Sequence, residues 1–140
     1  MRRRTRAREL ALQFLYSLEV RGDEAHADLE VFLKDSGASV LIKEYATRLI
    51  DGVREHAVVL DERITKHAKN WKLSRIAMLD RNLLRLGAFE LIYCLDVPPN
   101  VAINEAIELG KRYSTAQTGS FVNGILDQMQ QYRDQDNSSC

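Results

Sequence analysis

Apolar residues recur at three- and four-residue steps through most of the chain, and short polar clusters interrupt them, a pattern that predicts a succession of amphipathic helices. From about residue 5 to residue 20, Leu10, Ala11, Phe14, Leu15 and Leu18 fall on one helical face. Arg21-Gly22-Asp23 reads as a turn, and a short helix comes next with Ala25, Leu29, Phe32 and Leu33 on one side, closed by Asp35-Ser36-Gly37. From Ser39 to about Ala68 the positions Ile42, Tyr45, Ala46, Leu49, Ile50, Val53, Ala57, Leu60 and Ile64 keep the rhythm, which predicts one helix of about 40 Å that could serve as a shared spine. Asn70-Trp71-Lys72-Leu73 breaks the pattern, and Ser74 can cap the next helix. From Arg75 to Leu95 the sequence is apolar almost all round, as in a buried central helix. Arg85 and Glu90 interrupt it and should be paired or reach its edge, a structural network with Asn104 or Asn123 being the expected arrangement.

Pro98 and Pro99 suit the first turn of a new helix, which runs to about Tyr113 with Ala102, Ile103, Ala106, Ile107 and Gly110 on its apolar stripe. Ser114, Thr115, Gln117, Thr118, Gly119 and Ser120 form a polar loop before a last helix in which Phe121, Val122, Ile125, Met129 and Tyr132 share a face. A helix start fronted by hydroxyls can take a phosphate or carboxylate, and ordinary capping is the competing use of the same groups. Beyond Tyr132 the periodicity ends, so residues 133–140 are expected to form a disordered tail. The expected fold is all-α: six to seven helices in a single domain over residues 1–132, with one long central helix.

Charge changes this picture at one place. Lysine and arginine balance aspartate and glutamate at twenty each, so nucleic-acid affinity has to come from a local patch. Arg2, Arg3, Arg4, Arg6 and Arg8 put five cations into the first eight residues, at a helix N-terminus where the dipole disfavours them. Such a cluster suits bidentate phosphate contacts, and a solvated charge run is the plainer reading.

The other chemistry is sparse. Three histidines are too far apart in sequence pattern to share an ion, and the two cysteines suggest neither a disulfide framework nor a metal motif. No apolar run reaches the length of a membrane span, and Glu9 and Gln13 break any signal-peptide pattern, so a cytoplasmic protein is expected. No glycine-rich phosphate loop, nucleophile elbow or HExxH word occurs; Glu105 and Glu108 are read as surface residues, with Glu108 paired to Arg112. Neither an enzyme nor a cofactor is implied.

Four stretches are more specific. Residues 101–109 (VAINEAIEL) and 121–127 (FVNGILD), with Val97-Pro98 before them, closely resemble the C-terminal signature of the NusB transcription antitermination factors. Residues 4–16 (RTRARELALQFLY) and 71–91 (WKLSRIAMLDRNLLRLGAFEL) agree with the same family, so the resemblance covers nearly the whole chain. It implies two small helical bundles packed together and a non-enzymatic function. That function is binding the single-stranded boxA element of nascent ribosomal RNA transcripts jointly with NusE, a small-subunit ribosomal protein, and joining RNA polymerase and other Nus factors in a complex that reads through terminators.

Carried over by position, the resemblance implies that Arg3, Arg4, Arg6 and Arg8 take phosphates, and that Gln13, Phe121 and Asn123 contact RNA. Tyr16, Asp80, Arg81 and Gln117 fall where the family meets its protein partner. Four positions depart from the family pattern: Thr5 interrupts the arginine run, Gly110 replaces the usual alanine, and Gln117 and Ser120 stand in a loop that usually carries an acidic residue and often a lysine. Two other readings fit the same residues, an RNA-binding domain related to that of ribosomal RNA cytosine methyltransferases and a helical protein-interaction module that binds no RNA. A homodimer through the arginine-rich helix is a further use of the patch.

Overall fold

The computed structural model describes residues 3–69 and 75–137, apart from the side chains of residues 116 and 135–137. Among the described residues the chain forms seven α-helices and no strand. They are α1 (Arg3–Arg21), α2 (Leu29–Asp35), α3 (Val40–Glu55), α4 (Ala57–His67), α5 (Met78–Tyr93), α6 (Pro99–Tyr113) and α7 (Ala116–Asn137), with a 3-10 turn, Asp23–Asp28, between α1 and α2. Arg2, Trp71, the expected cap Ser74 and Cys140 lie outside the described residues.

Gly22 and Gly37 hold positive φ of 98° and 71° at the two turns of the N-terminal half, a conformation that L side chains rarely adopt. They let α1, α2 and α3 fold back on one another as one bundle. Ser39 starts α3 by accepting a hydrogen bond from the Ile42 N–H. In the second bundle, α5, α6 and α7 pack together with α4 against α5 and α7. α5 also touches α1 and α3, so the two bundles share one continuous apolar core.

The expected 39–68 spine is two helices. Apolar spacing continues through residues 53–60, but the chain leaves α-geometry at His56, with φ −103° and ψ 13°. The His56 ring stacks on Tyr93 at 4.0 Å between centroids and lies 5.9 Å from Phe89. One turn earlier, Phe89 fills the space over Gly52, where a Cβ would stand 2.0 Å from Cζ of the ring. The bend therefore wraps α3 and α4 around the C-terminal half of α5, and periodicity cannot report it because both segments bury the same stripe.

Three boundaries also shift. α5 begins at Met78 and ends at Tyr93, inside the expected range, and Val97 N–H closes the next turn onto the Cys94 carbonyl. The polar stretch after α6 is mostly helical: α7 starts at Ala116, and the Thr115 N–H donates to Thr118 Oγ1 in the manner of a capping box. The Thr118 hydroxyl is thus engaged in capping. α7 runs to Asn137, past the last apolar position of the stripe.

Candidate nucleic-acid interface

α1 lies against α3, α5 and, at several points, α6, so its middle is covered on most sides. Every residue from Ala7 to Leu12 is buried, including Arg8 and Glu9. Arg8 is only 4% exposed. Its Nε donates to both oxygens of Glu90, at 2.8 and 2.9 Å, and its Nη1 lies 3.2 Å from Glu105. Tyr45 donates its hydroxyl proton to the same Glu90 carboxylate, and burial together with that neighbouring charge raises the Tyr45 phenol above its ordinary value. Arg8 therefore leaves the set of expected phosphate contacts: it is an interior cation that neutralises Glu90. The signal was present in the sequence, because Arg8 shares a helical face with Ala11, Leu12 and Leu15 at the i+3, i+4 and i+7 positions.

Arg3, Arg4 and Arg6 are different. Arg3 and Arg4 are exposed and Arg6 is partly so. Arg4 Nη2 donates to Asp96 at 2.8 Å, and Arg6 lies 3.6 Å from Glu9. Glu9 also accepts from Arg112 at 2.6 Å and from the Tyr113 hydroxyl at 2.5 Å. Burial alone would push the Glu9 carboxyl up, but the hydrogen bonds from Tyr113 and Arg112 outweigh it and hold the group below the ordinary carboxylate range. Arg112 is thus tied to Glu9 on α1, whereas Glu108 meets Lys111 at 3.6 Å.

Further along α1, Gln13 and Tyr16 are exposed and line a shallow hollow with Leu12, Leu79 and Tyr113. Beside it, a cavity of about 320 Å³ is lined by Arg75, Ile76 and Ala77, by Asp80 of α5, and by Thr115, Gln117, Thr118 and Phe121 at the start of α7. The fold thus brings Asp80, Gln117 and Phe121 to one site. Phe121 is half-buried against the core, Gln117 is exposed, and Asn123 is exposed further along α7. Thr118, missed in the sequence, is buried beside Asp80, and its Oγ1 is 3.3 Å from the carboxylate.

Arg81 is held inside the fold. Its Nε and Nη2 donate to Glu19 Oε1 at 2.8 and 2.6 Å, and Nη1 donates to the Ile76 carbonyl. Asn82 is buried and donates to Glu19 and the Met78 carbonyl. Arg85 pairs with Asp61 at 2.7 Å, so Arg81, Arg85 and Glu90 of α5 are neutralised by α1 and α4, and the exposed Asn104 and Asn123 are not their partners. Among the described residues no helix is long and apolar enough to cross a membrane.

This helical order matches a known family. The NusB family model covers residues 5–131. The chain belongs to the NusB family. A transcription antitermination protein NusB of Desulfosudis oleivorans is 42% identical over 133 residues, which span 92% of this chain and 86% of the relative. NusB of T. maritima superposes with a TM-score of 0.83 at 37% identity, covering 98% of this chain and 97% of its own. A chain from a complex of the antitermination factors NusB and NusE with double-stranded RNA superposes with a TM-score of 0.83 at 30% identity, covering 94% and 98%. The two-bundle, all-α architecture of NusB proteins is therefore that of this chain.

Proposed function

We propose that this NusB-family protein is a transcription antitermination factor that binds boxA single-stranded RNA of nascent ribosomal RNA transcripts together with NusE, and joins RNA polymerase and other Nus factors in the antitermination complex. The observation that carries the reading is the set of Arg3, Arg4 and Arg6 reaching solvent at the start of α1. Gln13 and Tyr16 are exposed farther along the same helix, past the buried stretch 7–12, and Asp80, Gln117 and Phe121 meet at one cavity. The arginines supply phosphate contacts without sequence preference, and Phe121 and Asn123 supply an aromatic edge and an amide that can read unstacked bases. A NusB relative in complex with NusE and RNA supports both partners.

In this reading Arg8 acts by orienting α1, and three exposed arginines carry the electrostatic term. For a single strand that corresponds to a log–log salt slope of about −2. The test is anisotropy of labelled boxA-like RNA, with scrambled and duplex RNA as competitors, across a salt series with and without NusE. Preference for the boxA-like strand, strengthening by NusE, and a loss of affinity in Arg4→Ala/Arg6→Ala are expected. Binding that is absent, or indifferent to sequence even with NusE, would favour a helical protein-interaction module.

A further inference from the structure

Outside the α1 motif a second arginine, from a different helix, converges on the same point. Asp96, in the turn between α5 and α6, accepts from Arg4 Nη2 at 2.8 Å and from Arg48 of α3 at 3.0 and 3.3 Å. Both guanidiniums lie over the Tyr45 ring, Arg4 at 4.2 Å and Arg48 at 5.6 Å from its centroid. Tyr45 is itself fixed by its bond to Glu90 beside Arg8. The two forks are thus held on a rigid aromatic base contributed by neither α1 nor the carboxylate they grip.

The arrangement is open. Arg4, Arg48 and Asp96 have 45%, 42% and 46% of their side-chain surfaces exposed. Arg4 uses one of its five N–H groups here and Arg48 two, which leaves donors for a second acceptor. A hollow of about 390 Å³ adjoins the pair, lined by Arg3, Arg4, Leu41, Glu44, Tyr45 and Arg48. A carboxylate gripped by two arginine forks has the charge and planar acceptor geometry that a phosphodiester presents, and arginine binds either in the same bidentate way.

We propose that Arg48 is an RNA phosphate-contact residue that works as a pair with Arg4, and that Asp96 occupies their shared acceptor position in the free protein until a backbone phosphate takes it over. The inference rests on the RNA-binding reading above and extends its footprint from α1 onto α3. The ligand is the sugar–phosphate backbone, so this subsite adds affinity and leaves sequence discrimination to the residues of α7. Asp96 sets a threshold: a weakly held strand has to compete with an internal anion, and a strand anchored elsewhere does so at high effective concentration.

The experiment compares the full chain with Arg48→Ala, Arg48→Lys, Asp96→Asn and Arg54→Ala, using labelled boxA-like RNA with NusE across a salt series. Arg48→Ala should weaken binding roughly three- to tenfold and make the salt slope shallower by about 0.7, the loss of one single-strand phosphate contact. Arg48→Lys should keep the slope and lose part of the affinity, because the charge remains and the fork does not. Asp96→Asn should tighten binding roughly threefold or more, since the internal competitor is gone. Arg54→Ala removes an exposed cation later on the same helix and should leave affinity unchanged. If wild type binds and Arg4→Ala/Arg6→Ala weakens it while Arg48→Ala matches wild type in affinity and slope, the Arg48 subsite is overturned and the RNA reading stands. Weaker binding by Asp96→Asn overturns the competition. If wild type binds no RNA, the underlying reading fails and takes the subsite with it.

Discussion

Arg8 and Glu90 form an ion pair sealed inside the protein, the Nε of the arginine on the first helix shared between both oxygens of the glutamate on the central one. The pair is complete only because Glu105 and Tyr45 approach from two further helices. Truncating one partner leaves the other buried and uncompensated. Arg8→Ala should therefore lower stability by about 3–5 kcal/mol, measured as a fall in the urea midpoint at constant m-value. A paired apolar replacement, Arg8→Met with Glu90→Leu, should recover much of that loss, since a buried ion pair seldom outperforms well-packed hydrophobic residues by much.

Gly52 and Gly110 are glycines for packing reasons. Alanine at 52 would place its Cβ inside the Phe89 ring, which is wedged at the bend between α3 and α4. Gly52→Ala should cost about 1–3 kcal/mol or more as an overpacked core site, read by thermal or urea unfolding. At 110 the Cβ would meet Thr118 Cγ2 at 2.9 Å and Leu83 Cδ2 at 3.2 Å. The gain of about 1 kcal/mol in helix propensity is then opposed by the clash with Thr118. Gly110→Ala alone should be neutral or destabilising, and Gly110→Ala with Thr118→Ser should be more stable than Thr118→Ser alone.

Acid should weaken the fold in a specific way. The Glu9 carboxyl is held below its ordinary range by Tyr113 and Arg112, and the Asp96 carboxyl by Arg48 and Arg4. A depressed folded-state value means the contribution is present above the unfolded values near 4 and is lost as pH falls through the folded ones. Urea midpoints should therefore fall as the solution is acidified below about pH 4. Tyr113→Phe, which removes one donor to Glu9, should make the descent less steep; an unchanged descent would remove Glu9 as a contributor.

Cys94 is buried, and burial pushes its thiol up to about 11. In a Cys140→Ser background it should resist alkylation in the native protein at neutral pH and react readily in concentrated urea. Because the thiolate is the reactive form, both the depressed ionisation and the closed core slow the native reaction. Rapid native labelling would mean that the end of α5 opens locally.

The helices with a single apolar stripe were legible from spacing. α6 begins at Pro99 and ends at Tyr113 as the prolines and the stripe predict, because a half-exposed helix has to separate polar from apolar positions. The bend at His56 was not legible, because Val53, Ala57 and Leu60 keep the stripe in phase while the backbone turns around Phe89 and Tyr93. The arginine motif was legible as charge, and the inward face of Arg8 in its apolar neighbours Ala11, Leu12 and Leu15. Its partner was not, because Glu90 is encoded some eighty residues later, while Arg4 and Arg6 reach solvent. Arg48 and Asp96 lie in unremarkable sequence, and their convergence exists only in the folded chain.

The contacts of α1 also impose an order on synthesis. Arg8, Glu9 and Thr5 find their partners 82 to 104 residues downstream, at Glu90, Glu105 and Tyr113. α1 thus leaves the ribosome well before the helices that complete it, and contacts of such long separation are slow to form. Until α5 has emerged, the nascent chain carries Arg8 without Glu90, and until α6 follows, Glu9 lacks Arg112 and Tyr113. A chain stalled before α5 would present Arg8 together with the exposed arginines to any nearby polyanion, and docking of α5 would withdraw it into the interior.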